Sequence, residues 1–378
     1  MMQDKPALSQ QDGILPAQDI HALISAGHIH LANPPADTQI QPASLDLRLG
    51  QRVWRVQASF LPGAGRKVST ALTSFAMHEI DLTAGAVLEK GCVYIAQLQE
   101  SLDLPDDISG LANPKSSTGR LDVFTRLITD GGVEFEAVPA GYQGPLFAEI
   151  SPRTFSILVR PGSRLSQLRL RRGRAQLDDV AHHALQQKEQ LIRQQNDQQT
   201  AISVSDGIGL SVNLTPDDAG LIGWRARKHA GLVDVDKPAS LPRDRFWEAV
   251  RAADLTAGGL VLNPDEFYIL ASREYVSVPA GYAAEMRAYD TRVGEFRAHY
   301  AGFFDPGFGL DALGAAETRA VLEVRSHDVP FLIEEGQIVC RLVYEPMARA
   351  PQTLYGSTEL PSNYQAQGLK LAKHFIAE

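Results

Sequence analysis

The pentapeptide DLTAG occurs twice, at 81–85 and again at 254–258, and each copy opens a longer echo. LEKGCVYIAQLQESLDLP (88–105) lies over LNPDEFYILASREYVSVP (262–279) without a gap, at an offset of 174 residues. Leu88, Tyr94, Ile95, Glu100 and Pro105 fall on Leu262, Tyr268, Ile269, Glu274 and Pro279. The offset returns downstream, where FAEI (147–150) sits over VLEV (321–324), so that Glu149 matches Glu323. Gly162 then matches Gly336, and Leu168 matches Leu342. Register that is regained after intervening gaps is the mark of an internal repeat, and it restricts the chain to two copies of one module.

The texture of each copy sets the fold class. Apolar runs of four to eight residues, such as SLDLRLG (44–50), VYIAQL (93–98), FSILVRPG (155–162) and FYILAS (267–272), are cut by Gly, Pro, Asp and Asn. Short strands with tight turns imply a sandwich or barrel, not alternating βαβ units. PAQDIHALISA (16–26) has helical spacing, with Gly27 placed to stop it. The expected organisation is a loose tail at 1–13, repeat 1 at 14–175, a linker at 176–202, repeat 2 at 203–350 and a C-terminal segment at 351–378. The linker is Gln-rich and nearly free of Gly and Pro, which reads as a solvated helix. Its apolar stripe is too thin for a coiled coil.

Composition excludes several functions. The formal net charge is −9, from 36 Lys+Arg against 45 Asp+Glu, so no global basic field exists for gripping nucleic acid. Cys92 and Cys340 are the only cysteines, which excludes a disulfide framework and a Cys-rich zinc site. No uncharged apolar run approaches the roughly 18 residues of a membrane span. The polar N-terminus has no signal-peptide core, so the expected location is the cytoplasm.

The segment most suited to chemistry is ANPKSSTGR (112–120). Small hydroxyl residues in a turn, with exposed backbone N–H groups, make an anion nest. Lys115 and Arg120 add charge that a phosphate would meet, beside Ser116 and Ser117. The two-glycine spacing of a Walker loop is missing. The bland alternative is a solvated polar turn. Further on, AVPAGYQGPLFAEIS (137–151) makes a Gly-rich turn and then a strand with Glu149 among apolar neighbours. That carboxylate either faces solvent or sits in a pocket suited to proton transfer. Glu323 at the equivalent place in repeat 2 suggests a shared role or shared ancestry.

These residues together resemble the dCTP deaminases of the dUTPase-like superfamily, once per repeat over almost the whole chain. SLDLRLG, SLDLP (101–105), KSSTGR (115–120) and the hairpin ending at Glu149 carry the likeness in repeat 1. DPGF (305–308) and VLE (321–323) carry it in repeat 2, and NYQAQG (363–368) resembles the C-terminal segment that closes over the nucleotide. The resemblance implies a mainly β chain of two tandem distorted β-barrel (β-clip) modules with a few short helices. It implies deamination of dCTP to dUTP and ammonia, supplying dUTP for dUMP and thymidylate synthesis. A water activated by Glu149, with Glu323 as second candidate, would attack C4 without zinc; no protein side chain would bind metal, and Mg²⁺ would arrive with the triphosphate. Lys115, Ser116, Ser117, Arg120, Tyr142, Asp305, Arg287, Arg292, Tyr364 and Gln367 would bind the nucleotide. The expected assembly is a homo-oligomer, trimeric or pseudo-hexameric.

Both repeats depart from the family pattern. Lys115 stands where the family has Arg, and Pro139 where it has a sugar-contacting Asp. Repeat 2 reads RAYDTR (287–292), so Ala288 and Tyr289 replace both serines and Asp290 adds a repelling charge. Repeat 1 is therefore expected to be active, or repeat 2 to supply part of a composite site. The rival readings are a dUTPase-type or bifunctional nucleotidohydrolase releasing pyrophosphate, and a non-catalytic nucleotide-binding protein.

Overall fold

The computed structural model describes residues 8–194, 202–287, 302–326, 328–360, 362 and 364–376, with the backbone of 296–298. The chain forms two compact units. Unit 1 takes the chain up to Ala175 together with Gly231–Pro238 and Pro346–Thr353. Unit 2 takes Gln176–Ala230, Ala239–Glu345 and the chain from Leu354 onward. The second repeat is thus not the contiguous block 203–350, because two of its stretches are built into unit 1. Val233–Asp234 runs parallel to the strand Ile157–Val159, and Arg160 grips Asp234 through two hydrogen bonds of 2.7 and 2.9 Å.

Among the described residues, unit 1 consists of an 11-stranded sheet, a three-stranded sheet and a few short helices. Its main strands are β1 (Ser44–Val56), β2 (Val93–Asp103), β3 (Ile108–Pro114), β4 (Val123–Thr129), β5 (Gln143–Pro152) and β6 (Arg164–Arg172). Their spatial order is β3-β6-β1-β2-β5-β4. Helix α1 (Ala17–Ala26) ends at Gly27, whose φ of 81° is the left-handed stop that glycine favours. Helix α2 (Val68–Phe75) packs outside the sheet. From Leu8 onward the N-terminal tail is less loose than its composition suggests. Ser9 donates to Asp19 and to the carbonyl of Ala348, and Gly13–Ile14 pairs with Arg172 and Arg171.

Unit 2 repeats the plan with β7 (Ile208–Asn213), β8 (Tyr268–Val276), β9 (Arg319–Ser326) and β10 (Ile338–Pro346). The registers of the two units coincide. Ile95 faces Glu149 across β2 and β5, and Ile269 faces Glu323 across β8 and β9. Leu168 faces Leu45, and Leu342 faces Ile208. Even single side-chain bonds recur: the Tyr94 hydroxyl accepts from Glu89 N–H, and that of Tyr268 from Asn263 N–H.

In each unit a buried glutamate stands where a strand changes partner. β1 pairs with β6 as far as Arg48 and with β2 from Leu49. Glu100, 1% exposed, accepts the Arg48 N–H at 2.8 Å and the Arg48 Nε at 2.8 Å. Burial pushes the Glu100 carboxyl up, and Arg48 pulls it back. In unit 2 Glu274 accepts the Ser211 N–H at 2.9 Å and its hydroxyl at 2.5 Å.

Helix α3 (Asp179–Glu189) occupies the stretch expected to be a solvated linker. It is helical but not merely solvated. His182 is fully buried, and Leu185 joins Leu191, Ile192 and the strands of β7–β10 in one core. Asp178 caps the helix by accepting the Ala181 N–H. The His182 ring spans two backbone groups: Nδ1 meets the Asp178 carbonyl at 2.8 Å, and Nε2 accepts the Tyr344 N–H at 3.0 Å. Only the neutral ring with its proton on Nδ1 satisfies both. Among the described residues, no helix is long and apolar enough to cross a membrane.

Two stability outcomes follow from these buried groups. Arg48→Met leaves Glu100 buried without its cation and is expected to cost about 3–5 kcal/mol, read from urea unfolding. His182 is the second. Burial lowers its basicity against the opposing pull of Asp178 and Asp179, with Arg287 acting in the same direction as burial and the Tyr344 ring edge-on at 6.2 Å. An unfolded histidine takes up its proton near pH ~6.5, so the stability His182 contributes is present above that pH and is lost as pH falls below it. Wild-type stability is expected to fall between pH 7 and 5, and His182→Leu to flatten that decline while lowering stability at pH 8.

Candidate active site

Glu149 is buried on the sheet and does not lie on a solvated face. Successive residues of a strand alternate faces, so Phe147 and Glu149 share one face of β5 while Leu146 and Ile150 share the other. Across the sheet the same face carries Ile95, Ile128 and Val56. The segment after β1 folds back over it, where Phe60, Val68 and Leu72 pack against Ile95, Ile128 and Phe147. Glu149 is 2% exposed at the polar end of this apolar cover.

A buried carboxylate needs partners, and two residues that sequence reasoning missed provide them. Arg126 stands opposite Glu149 on β4 and donates to Oε1 from Nε at 3.1 Å and from a terminal nitrogen at 2.6 Å. Ser59 donates its hydroxyl to Oε2 at 2.5 Å and accepts from the same Arg126 nitrogen at 3.1 Å. The Arg126 guanidinium lies 3.7 Å from the centre of the Phe135 ring. Only the antiparallel register made Arg126 legible in principle. Ser59 lies 90 residues away from Glu149 in a loop without a motif.

The KSSTGR segment follows β3 as a four-residue helical turn, Ser116–Gly119. Ser117, Thr118 and Arg120 are buried. The N–H groups of Thr118 and Gly119 bond to the Lys115 carbonyl, and that of Arg120 to the Ser116 carbonyl. The turn thus spends these three donors on itself, and an anion there would meet hydroxyls and cations more than a backbone nest. Lys115 Nζ lies 2.5 Å from Asp46 Oδ1, and Arg164 lies 3.3 Å from Asp46 Oδ2. Asp46 is 1% exposed, so one buried carboxylate holds two cations beside the turn. This donor set suits phosphate oxygens and not a divalent cation.

Tyr142 is not open for stacking. Its ring is buried, its hydroxyl accepts the Asp130 N–H at 3.0 Å, and it donates to the Pro145 carbonyl at 2.7 Å. Burial pushes this hydroxyl up to about 12. Tyr142 therefore braces the turn that leads into β5. A Cβ on Gly144 would meet its hydroxyl at 2.8 Å, which explains the glycine there.

In unit 2, Glu323 is buried on β9 at the position equivalent to Glu149. Arg287 ends the strand Tyr282–Arg287, half-buried. Arg292, with Ala288, Tyr289 and Asp290, lies outside the described residues. Asp305 is buried at the head of a turn on which the C-terminal segment docks. Tyr355 N–H donates to the Pro306 carbonyl, and the Gln365 amide brackets Gly307 and Gly309. Gln367 pairs with Arg319 at the start of β9, and the Tyr364 hydroxyl accepts the Lys373 N–H. These two residues thus bind to unit 2 itself. His28 bonds the Asp103 carbonyl through Nδ1, and a shallow cavity of about 520 Å³ between His30 and Pro145 contains none of the expected site residues.

With this geometry in place, similarity to known proteins is decisive. The N-terminal domain model of 2'-deoxycytidine 5'-triphosphate deaminase matches residues 11–174, and its C-terminal domain model matches residues 178–375. A crystal structure of 2'-deoxycytidine 5'-triphosphate deaminase from Agrobacterium tumefaciens is 54% identical in sequence and superposes with a TM-score of 0.84, covering 89% of this chain and all of that one (100%). A protein of Beutenbergia cavernae named "dCTP deaminase, dUMP-forming" is 31% identical over 161 residues, 41% of this chain and 77% of the relative. One of Pectobacterium atrosepticum named "dCTP deaminase" is 30% identical over 159 residues, 40% of this chain and 79% of the relative. The two domain models account for both units, and the chain belongs to the 2'-deoxycytidine 5'-triphosphate deaminase family.

Proposed function

We propose that the protein deaminates dCTP to dUTP and ammonia, with Glu149 as the acid–base group, supplying dUTP as a source of dUMP for thymidylate synthesis. The observation that carries the assignment is the 2%-exposed Glu149 carboxylate, set on the sheet face in the unit that also holds Lys115, Ser116, Ser117 and Arg120. Water adds through its oxygen to C4 of cytosine. Glu149 takes one water proton, passes it to N3, and then moves a proton to the exocyclic amine. The C4–N bond breaks, ammonia leaves, and C4 becomes the carbonyl of uracil. Acid–base help of this kind supplies about 10²–10⁴-fold, and the rest comes from holding base, water and carboxylate in line.

Lys115, Arg120 and the two serine hydroxyls are assigned to the triphosphate, with Arg164 beside Lys115 adding to the local positive charge. Mg²⁺ bound to the triphosphate would offset part of its negative charge. The reading uses no zinc, because Glu149 is the group that takes the proton from water. Sites of this kind are proposed to work within a homo-oligomer, trimeric or pseudo-hexameric.

Release of pyrophosphate as well is a second reading. It is favoured by the buried Asp305 and by the dUMP-forming activity named for the Beutenbergia cavernae relative. Purified protein incubated with dCTP and Mg²⁺ separates the readings, because ammonia alone supports deamination while pyrophosphate moves attention to Asp305. Glu149→Gln is expected to lower kcat by at least about 10²-fold and Glu323→Gln to leave it within threefold. Full activity in the Glu149 variant would place the chemistry in unit 2. Lys115→Met is expected to raise KM for dCTP about tenfold or more with little change in kcat, as read from initial rates.

A further inference from the structure

Glu149 has two oxygens, and its surroundings treat them differently. Oε1 receives both Arg126 donors, which use its two lone pairs. Among the described residues, Oε2 receives only the Ser59 hydroxyl, which leaves one lone pair for another donor. We propose that Arg126 and Ser59 are positioning residues which reserve Oε2 as the proton-carrying oxygen of Glu149. This rests on the deaminase reading above and adds two residues to it. The guanidinium on Oε1 opposes protonation there, so the proton taken from water goes to Oε2 and leaves from it to N3 and the amine. Ser59 fixes where Oε2 points, and its own oxygen is fixed by Arg126 at 3.1 Å.

The clamp is assembled by two loops far apart in sequence. Ser59 lies in the loop between β1 and α2, and Phe135, which carries the Arg126 guanidinium, lies in the loop after β4. The loops are tied to each other. Gly63 N–H donates to the Gly132 carbonyl at 3.0 Å, Gly131 N–H to the Arg66 carbonyl at 2.8 Å, and Val68 N–H to Asp130 Oδ1 at 2.7 Å. Gly131 has a φ of 72°, where a side chain would be strained. The loops therefore hold Ser59 and Arg126 at one carboxylate before any nucleotide arrives, which is the preorganisation that a positioned acid–base group requires.

The test compares Arg126→Met, Arg126→Lys and Ser59→Ala with wild type in ammonia release from dCTP. Arg126→Met is expected to lower kcat at least about tenfold with KM changed less than threefold, and Arg126→Lys to restore part of the loss. Ser59→Ala is expected to lower kcat by a smaller factor. Combined with Glu149→Gln, Arg126→Met should add nothing, because a residue acting through Glu149 has no effect once that carboxylate is gone. If Arg126→Met does not fold, the lysine and alanine variants carry the comparison. An active wild type with unchanged kcat in all three variants, a loss confined to KM, or full additivity with Glu149→Gln overturns the positioning role and leaves deamination standing. A wild type that releases no ammonia from dCTP overturns both.

Discussion

A strand that passes from one partner to another leaves a backbone N–H at the crossing, and each unit of this protein answers that need with a buried glutamate. Glu100 takes the N–H of Arg48, and Glu274 takes the N–H of Ser211. Just beyond the crossing, the Leu49 N–H bonds to the Ser163 carbonyl and the Gly162 N–H to the Leu49 carbonyl. Val212, Gln337 and Gly336 repeat that pair of bonds in unit 2. An unmet buried donor costs about 1–3 kcal/mol, so the crossing tolerates few other residue types. Because β1 can turn there, its first half pairs with β6 and its second half with β2. That second half leads into the loop that brings Ser59 to Glu149. The cover over Glu149 and the sheet are thus parts of one solution to a backbone problem.

The matching of Glu100 with Glu274 and of Glu149 with Glu323 was legible because the repeat aligns them. Their roles differ for reasons that an alignment does not display. Glu100 and Glu274 point at backbone where a ladder breaks, while Glu149 points at an arginine brought opposite by strand register. The hidden features are all long-range. Ser59 reaches Glu149 over 90 residues, and Asp46 reaches Lys115 over 69. The membership of Gly231–Pro238 in unit 1 is not legible either, since a repeat read as a contiguous block gives no sign that a stretch of it pairs elsewhere. Helix α3 was recognisable as a helix from its Gln-rich run, but not as a packed one. Its buried contacts rest on His182 and Leu185, two positions in a polar sequence.

The two units have kept their shared architecture unequally at the site. The skeleton, meaning the crossing glutamate, the tyrosine bonded to the preceding turn and the buried glutamate opposite an isoleucine, is the same in both. The hydroxyl-rich turn is not, since Ser116 and Ser117 correspond to Ala288 and Tyr289 in the sequence. In unit 2 the turn at Asp305 is instead covered by the chain's own C-terminal segment through Tyr355 and Gln365. A skeleton retained where the hydroxyl side chains have changed is what folding alone would preserve. The bonds at the crossing stabilise unit 2 whether or not it binds a nucleotide.

Charge places a further demand on unit 1. The chain as a whole is at −9, so its long-range field repels a polyphosphate, and attraction has to come from nearby cations. Several of those cations already serve carboxylates: Lys115 and Arg164 hold Asp46, Arg126 holds Glu149, and Arg48 holds Glu100. Each pairing lets a charged group stay buried and fixed in direction, which a flexible solvated lysine is not. The net charge of the Lys115–Asp46–Arg164 cluster is still positive by one, and it is rigidly aimed. A site built this way gains little from electrostatic steering and much from short-range fit.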